Sequence, residues 1–159
     1  MFFDCETFFD FDSGRESIRR RHYGVIETGG GKLQSIQLRP WPTLFSLRDL
    51  LPIGDDYHAR GPADNCWLYY NQPWRMPNFL ALKYIVSTHG TSYATFRAAL
   101  AVLEQIAESK QADAILCDAA NTRLSDRLLE RLGWEPHKPQ RWHRNFIRRF
   151  YGGGYGLPR

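Results

Sequence analysis

The chain contains no apolar run approaching the roughly 18 residues that a membrane-spanning helix needs. Its three cysteines, Cys5, Cys66 and Cys117, lie far apart and form no Cys-x-x-Cys pair. That spacing excludes a disulfide scaffold and a zinc finger and points to reduced thiols. His137 and His143 are too few to make a metal site by themselves, so no metal is expected. No Ser-His-Asp or Cys-His arrangement can be argued from spacing. There is no internal repeat and no low-complexity linker. The pair Gly31-Lys32 lacks the rest of a phosphate loop, because Ile26 and Leu33 stand where a Gly and a Ser or Thr are required. The opening residues, MFFDCETFFDFD, lack a basic start and carry Asp4, Glu6, Asp10 and Asp12, so they do not read as a signal peptide. A cytoplasmic location and no membrane partner are expected by default.

What is present is a globular composition. The chain has 159 residues, 43% hydrophobic and 24% charged. One domain over residues 1–151 is expected, with a glycine-rich flexible tail at 152–159. The charge is unevenly spread. Residues 121–159 carry 9 basic and 3 acidic side chains, against 12 and 14 in residues 1–120. Seventeen of the 21 cations are Arg, the side chain suited to bidentate anion contacts. A compositional bias towards Arg explains this equally well. The five phenylalanines Phe2, Phe3, Phe8, Phe9 and Phe11 read as core, or as a surface that pairs a dimer.

The N-terminal half yields few elements. Residues 22–28 (HYGVIET) and 33–38 (LQSIQL) read as two strands joined by a glycine hairpin at 29–32. Residues 17–21 form a short basic run. The stretch 43–51 (TLFSLRDLL) has the apolar spacing of a short helix. Residues 52–65 read as loop and 66–70 (CWLYY) as a strand.

The second half is clearer. Residues 79–86 (FLALKYIV) form an apolar strand, 87–92 (STHGTS) a turn, and 93–110 a helix with a continuous apolar stripe. Residues 114–119 (AILCDA) read as a buried central strand. Ser125 caps a second helix that Gly133 ends. Residues 142–151 (WHRNFIRRFY) complete the pattern as a strand. A strand–helix–strand unit of this length implies a parallel pair with a right-handed crossover.

The turn before the long helix has the physical makings of a phosphate site. A helix N-terminus offers unpaired amides and about half a positive charge. Gly90 permits close backbone approach, and Thr91 and Ser92 supply hydroxyls. A plain capped turn is the competing reading.

From these pieces the stretch 79–151 resembles the C-terminal half of the general N-acetyltransferase (GNAT) superfamily. The resemblance rests on the strand at 80–86, the turn at 87–92, the helix from Tyr93, the strand at 114–119, Asn121, and the Leu128-Leu129-Glu130-Arg131-Leu132-Gly133-Trp134 segment. It implies a mixed α/β fold, a mostly antiparallel twisted sheet flanked by helices. It also implies acetyl-CoA as cofactor, with backbone amides near Ile85 and Val86 holding the thioester carbonyl. Gly90, Thr91, Ser92 and Tyr93 would hold the pyrophosphate, and Asn121 would follow the second strand. The implied activity is acyl transfer to an amine whose identity the sequence does not give. Two departures accompany the resemblance. The turn matches the family's Gln/Arg-x-x-Gly-x-Gly/Ala pattern in neither simple alignment, since Ser87 or Ser92 stands at a required position. Leu129 occupies the place where many members carry a tyrosine acid.

His89 lies at the turn, Cys117 reads as core rather than nucleophile, and Asp118 ends the central strand. Along 142–151, Trp142, Arg144, Phe146, Arg148 and Phe150 share one face. With Arg141 and Arg149 these arginines form a candidate anion surface. It would suit nucleic acid or an acidic protein if the fold serves as a non-catalytic binding module. Alternatively, their stems cover the core and their charges guard an edge.

Overall fold

The computed structural model describes residues 4–41, 64–118, 125–138, 144–150 and 155. The expected helix at 43–51, together with Phe2, Phe3, Asn121, Arg141, Trp142, His143 and nearly all of the 152–159 tail, lies outside the described residues.

Strand β1 (Glu6–Phe8) leads into α1 (Phe11–Arg20). The hairpin β2 (Tyr23–Gly29) and β3 (Lys32–Arg39) follows, then β4 (Asn65–Asn71) and β5 (Phe79–Ser87). Helix α2 (Tyr93–Ser109) crosses over to β6 (Ala114–Asp118). Helix α3 (Asp126–Arg131), β7 (Glu135–Pro136) and β8 (Asn145–Arg149) complete the described elements. The strands form one sheet in the order β1-β3-β2-β4-β5-β6-β8-β7. Every described pairing is antiparallel except that of β5 with β6. This open, mostly antiparallel sheet flanked by helices is the mixed α/β architecture that the GNAT resemblance implied.

The glycine hairpin forms as expected. Gly30 and Gly31 occupy its two-residue turn with φ of +58° and +76°, a backbone that a side chain would strain. Residues 145–149 form the last strand, shorter than the expected 142–151.

The helix α1 corrects the reading of 17–21 as merely a basic run. Asp10 caps it by accepting a hydrogen bond from Ser13 N at 2.8 Å. Its pattern is weak because it buries only Ile18 and Gly14. Gly14 is needed there, since a Cβ would lie 2.6 Å from the Phe8 ring of β1.

Alternation places Ile26, Leu68, Tyr70, Leu80 and Leu82 on one sheet face, all buried. Both α1 and α2 pack there, α2 contributing Phe96, Ala99, Leu100, Leu103, Ile106 and Ala107 to the common core. A fully buried aliphatic side chain contributes about 1.5–3 kcal/mol, so this stripe dominates the helix's stability.

Two polar contacts lock α2 to its surroundings. Glu104 turns inward, its side chain 4% exposed, and Arg148 Nε of β8 donates to Glu104 Oε1 at 3.1 Å. At the other end, Lys110 Nζ donates to the carbonyls of Arg19 (3.1 Å) and Arg21 (2.8 Å) and to Gln72 Oε1 (3.0 Å). Burial pushes the Lys110 ammonium pKa down to about 8.

Arg148→Met would remove the guanidinium that faces a buried carboxylate and is expected to cost about 3–5 kcal/mol in urea unfolding. The double variant Glu104→Leu/Arg148→Met is expected to recover most of that loss. For Lys110 the native state releases its proton more readily than the unfolded chain does. Its contribution to stability therefore rises with pH, from about 8 towards its unfolded value of 10.5, and is lower below that window. The difference in unfolding free energy between the wild type and Lys110→Met should follow that rise.

Candidate active site

The site is built at the C-terminal end of β5, beyond its described pairing with β6. The parallel pairing runs Phe79↔Ala114, Leu80↔Ile115, Ala81↔Leu116 and Leu82↔Cys117, and ends there. The pairing of β5 with β4 continues to Ser87, with a register shift because Lys83 is inserted between Leu82, opposite Tyr70, and Tyr84, opposite Tyr69. Such a bulge bends and twists the strand that carries it. Beyond it the parity of β5 reverses: Ile85 sits beside Leu68, and Val86 beside Trp67. Ile85 and Val86, expected to hold a carbonyl, are therefore bonded to β4 on one side. On the other side no described strand pairs with them.

The face bearing Tyr84 and Val86 also presents Tyr69, Trp67 and Glu27 in adjacent cross-strand positions. Tyr69 and Tyr84 meet edge to face with ring centroids 6.5 Å apart. Ser35 Oγ donates to Glu27 Oε2 at 3.2 Å. This cluster was not legible from the sequence, because FLALKYIV reads as an uninterrupted strand and only the bulge turns Tyr84 to this side.

The turn that follows β5 is held from within. Thr91 Oγ1 donates to the Asn65 carbonyl at 2.6 Å, and Thr88 N donates to the same oxygen at 3.2 Å. Thr91 N closes the turn onto Thr88 O at 3.2 Å, with His89 and Gly90 between them. Ser92 caps α2 by accepting from Thr95 N at 3.2 Å. Asp64, within a stretch read only as loop, is the unexpected member. Its Oδ1 accepts from Ser92 N at 2.7 Å and its Oδ2 from Ser92 Oγ at 3.0 Å. These bonds, chiefly the one from Ser92 N, lower the Asp64 pKa. The chain's own carboxylate thus stands at the positive end of α2. The hairpin tip closes in beside it: Gly31 N donates to Thr95 Oγ1 at 2.8 Å, and Thr28 Oγ1 to Thr95 O at 2.9 Å. Gly90, Thr91, Ser92 and Tyr93 are therefore together at this end of β5. The hydroxyls of Thr91 and Ser92 are engaged within the chain.

A surface groove of about 680 Å³ starts at this first turn of α2, lined by Tyr93 and Ala94, and follows the helix past Arg97, Ala98 and Ala101 to Tyr155. No residue of β5 or β6 lines it.

The candidate anion surface is resolved into ion pairs. Arg144 meets Asp126, Arg149 meets Glu135, and Arg148 meets the buried Glu104. Phe146 and Phe150 on the Arg148 side are buried at 2% and 4% exposure. The arginine stems of β8 lie over the core, while Arg141 is outside the described residues.

Among the described residues no group of three His, Cys, Asp or Glu side chains is placed to hold a metal ion. No helix of the described residues is long and apolar enough to cross a membrane. His89 and Asp118 are exposed, and Leu129 is buried in the core. Cys117 is buried, and desolvation pushes its thiol pKa up to about 12, as it does that of Cys66. Neither thiol is a nucleophile at neutral pH. Under native conditions a thiol-specific disulfide reagent should label Cys5 alone, which is exposed, and Cys66 and Cys117 only after unfolding.

No family model matches the chain, and no curated protein does. Among solved structures, the chain is similar to a crystal structure of nourseothricin acetyltransferase, at 13% identity and a TM-score of 0.45. That alignment covers 91% of this chain and 98% of the other.

Proposed function

We propose that this protein is a GNAT-type N-acyltransferase that uses an acyl-CoA as donor and an amine as acceptor. The observation that carries the reading is the end of the β5–β6 pairing at Leu82, directly before a turn that opens α2. A gap between parallel strands leaves backbone donors of one strand unclaimed by the other. A thioester carbonyl can use such donors as it gains negative charge. Backbone amides near Ile85 and Val86 fill that role. The amides of Gly90 to Tyr93 and the positive end of α2 suit a pyrophosphate.

When bound, the acyl-CoA supplies an activated thioester. In the transfer the amine nitrogen bonds to the carbonyl carbon and the carbon–sulfur bond breaks. The thiolate leaves with the electron pair, and the amine's proton passes to a base. Glu27, in the cross-strand row of Trp67 and Val86, offers a carboxylate for that proton. The buried Leu129 offers no acid, so the thiolate departs without protonation from that position. Asp64 is the group with which a phosphate would compete, since both are anions seeking the amide of Ser92.

A second reading, a non-catalytic binding module, is favoured by the same Asp64, Thr88, Thr91 and Ser92 network, which leaves the turn satisfied without a ligand. One titration decides between the two. Acetyl-CoA and CoA, at about 100 times their dissociation constants, should each stabilise the protein by about 2.7 kcal/mol, seen as a rise of several degrees in Tm. ATP should not do so. Gly90→Asp should abolish the shift, and Asp64→Asn should enlarge it by removing the competing charge. No shift with either CoA species, in the wild type and in Asp64→Asn alike, would overturn the acyltransferase reading.

A further inference from the structure

The end of the sheet opposite the α2 N-terminus carries aromatic and basic groups that the reaction does not use. Trp74, in the connection between β4 and β5, is 72% exposed, and Met76 beside it is 44% exposed. Monomeric proteins bury most indoles, so such exposure invites an explanation. The Trp74 ring is held in place. It stacks on His22 with centroids 3.6 Å apart and planes inclined by 18°. His22 is itself anchored, with Nδ1 bonded to the Gln72 carbonyl at 2.8 Å and its own carbonyl accepting from Gln72 N at 2.7 Å. One face of the indole is thus covered by an imidazole, and the side chain remains open to solvent.

Cations adjoin this stack along the chain. Arg19 and Arg20 end α1, Arg21 leads directly into His22, and Arg75 follows Trp74. Lys110 binds the carbonyls of Arg19 and Arg21 and the side chain of Gln72, which ties α1 to the Trp74 connection. Arg20 pairs with Glu16, and Arg21 with Glu6. Arg19 and Arg75 have no carboxylate partner among the described residues, and the three acceptors of Lys110 are neutral. Asp113, bonded to Asn78 Nδ2 at 2.9 Å, marks the acidic border of the patch. The pattern contrasts with β8, where every described arginine meets a carboxylate.

We infer that Trp74, backed by His22 and flanked by Arg19 and Arg75, is a docking surface for single-stranded nucleic acid. A held indole gives a base a platform on which to stack, and the uncompensated arginines meet the phosphates on either side. An acidic peptide would satisfy the arginines but make no use of the indole face, so a base-bearing polyanion fits better. The inference is independent of the acyltransferase reading, since it involves the other end of the sheet.

The test is fluorescence anisotropy of the full chain with labelled twelve-nucleotide oligo-dT and oligo-U over a salt series. Binding is expected at low salt and should weaken steeply as salt rises. Trp74→Ala should weaken binding about tenfold or more. Trp74→Phe, which keeps a ring, should retain most of it. Arg19→Ser with Arg75→Ser should lower the slope of log affinity against log salt by about 1.4, two phosphates' worth. Lys32→Ser, at the hairpin tip far from the patch, should change neither. No binding at low salt would overturn the proposal. So would unchanged affinity in a folded Trp74→Ala variant. Competition by poly-glutamate as effective as that by unlabelled oligonucleotide would also overturn it, and would assign the patch to an acidic protein.

Discussion

Lys83, an extra residue in β5, is the irregularity on which this end of the sheet depends. Around it β5 stays paired with β4 through Ser87, while the described pairing with β6 ends at Leu82, opposite Cys117. Much of the candidate site follows from that one irregularity. It reverses the parity of the strand and turns Tyr84 towards Tyr69. On the side away from β4, no described strand pairs with Ile85 and Val86, just before the turn that starts α2. A strand bonded on both sides to its end would be a sound core element with no opening beside it.

The N-terminus of α2 is subject to a second constraint, the need to satisfy its leading amides. The chain meets that need with Asp64, Ser92 and the threonines at 88, 91 and 95, residues drawn from β4's approach, the turn and the helix itself. The same features that make a helix end attractive to a phosphate make it attractive to a side-chain carboxylate. A phosphate at this helix end would therefore compete with Asp64 rather than fill an open cradle. The groove along α2 begins at the same first turn.

Charge shows why counting is a poor guide to surfaces. The last quarter of the chain carries the excess of arginine, yet on β8 and at the residue before it those arginines are engaged with Asp126, Glu135 and Glu104. One of the three carboxylates, Glu104, comes from α2, distant in sequence. The first 120 residues, which contain His22, carry more acidic than basic side chains in total. There Arg19 and Arg75 are brought to one end of the sheet by the pairing of β2 with β4 and by Lys110 bridging α1 to Gln72. Uncompensated charge is a property of neighbourhoods in the fold, and segment totals do not report it.

The sequence by itself determined the elements whose signals are local. The glycine hairpin follows from the torsion freedom of Gly30 and Gly31, α2 from its apolar stripe and its Ser92 cap, and the α3 end from Gly133. The β5–α2–β6 crossover followed because an apolar strand, an amphipathic helix and a second apolar strand leave few ways to bury themselves. Helix α1 was not legible, because it buries only Ile18 and a glycine fitted to Phe8 and shows no long apolar stripe. The bulge at Lys83, the Asp64 carboxylate at the start of α2 and the partners of the β8 arginines were decided only in three dimensions. Each depends on which residue from a distant segment stands opposite, and register and ion pairing are settled by packing between strands and helices, not by neighbours along the chain.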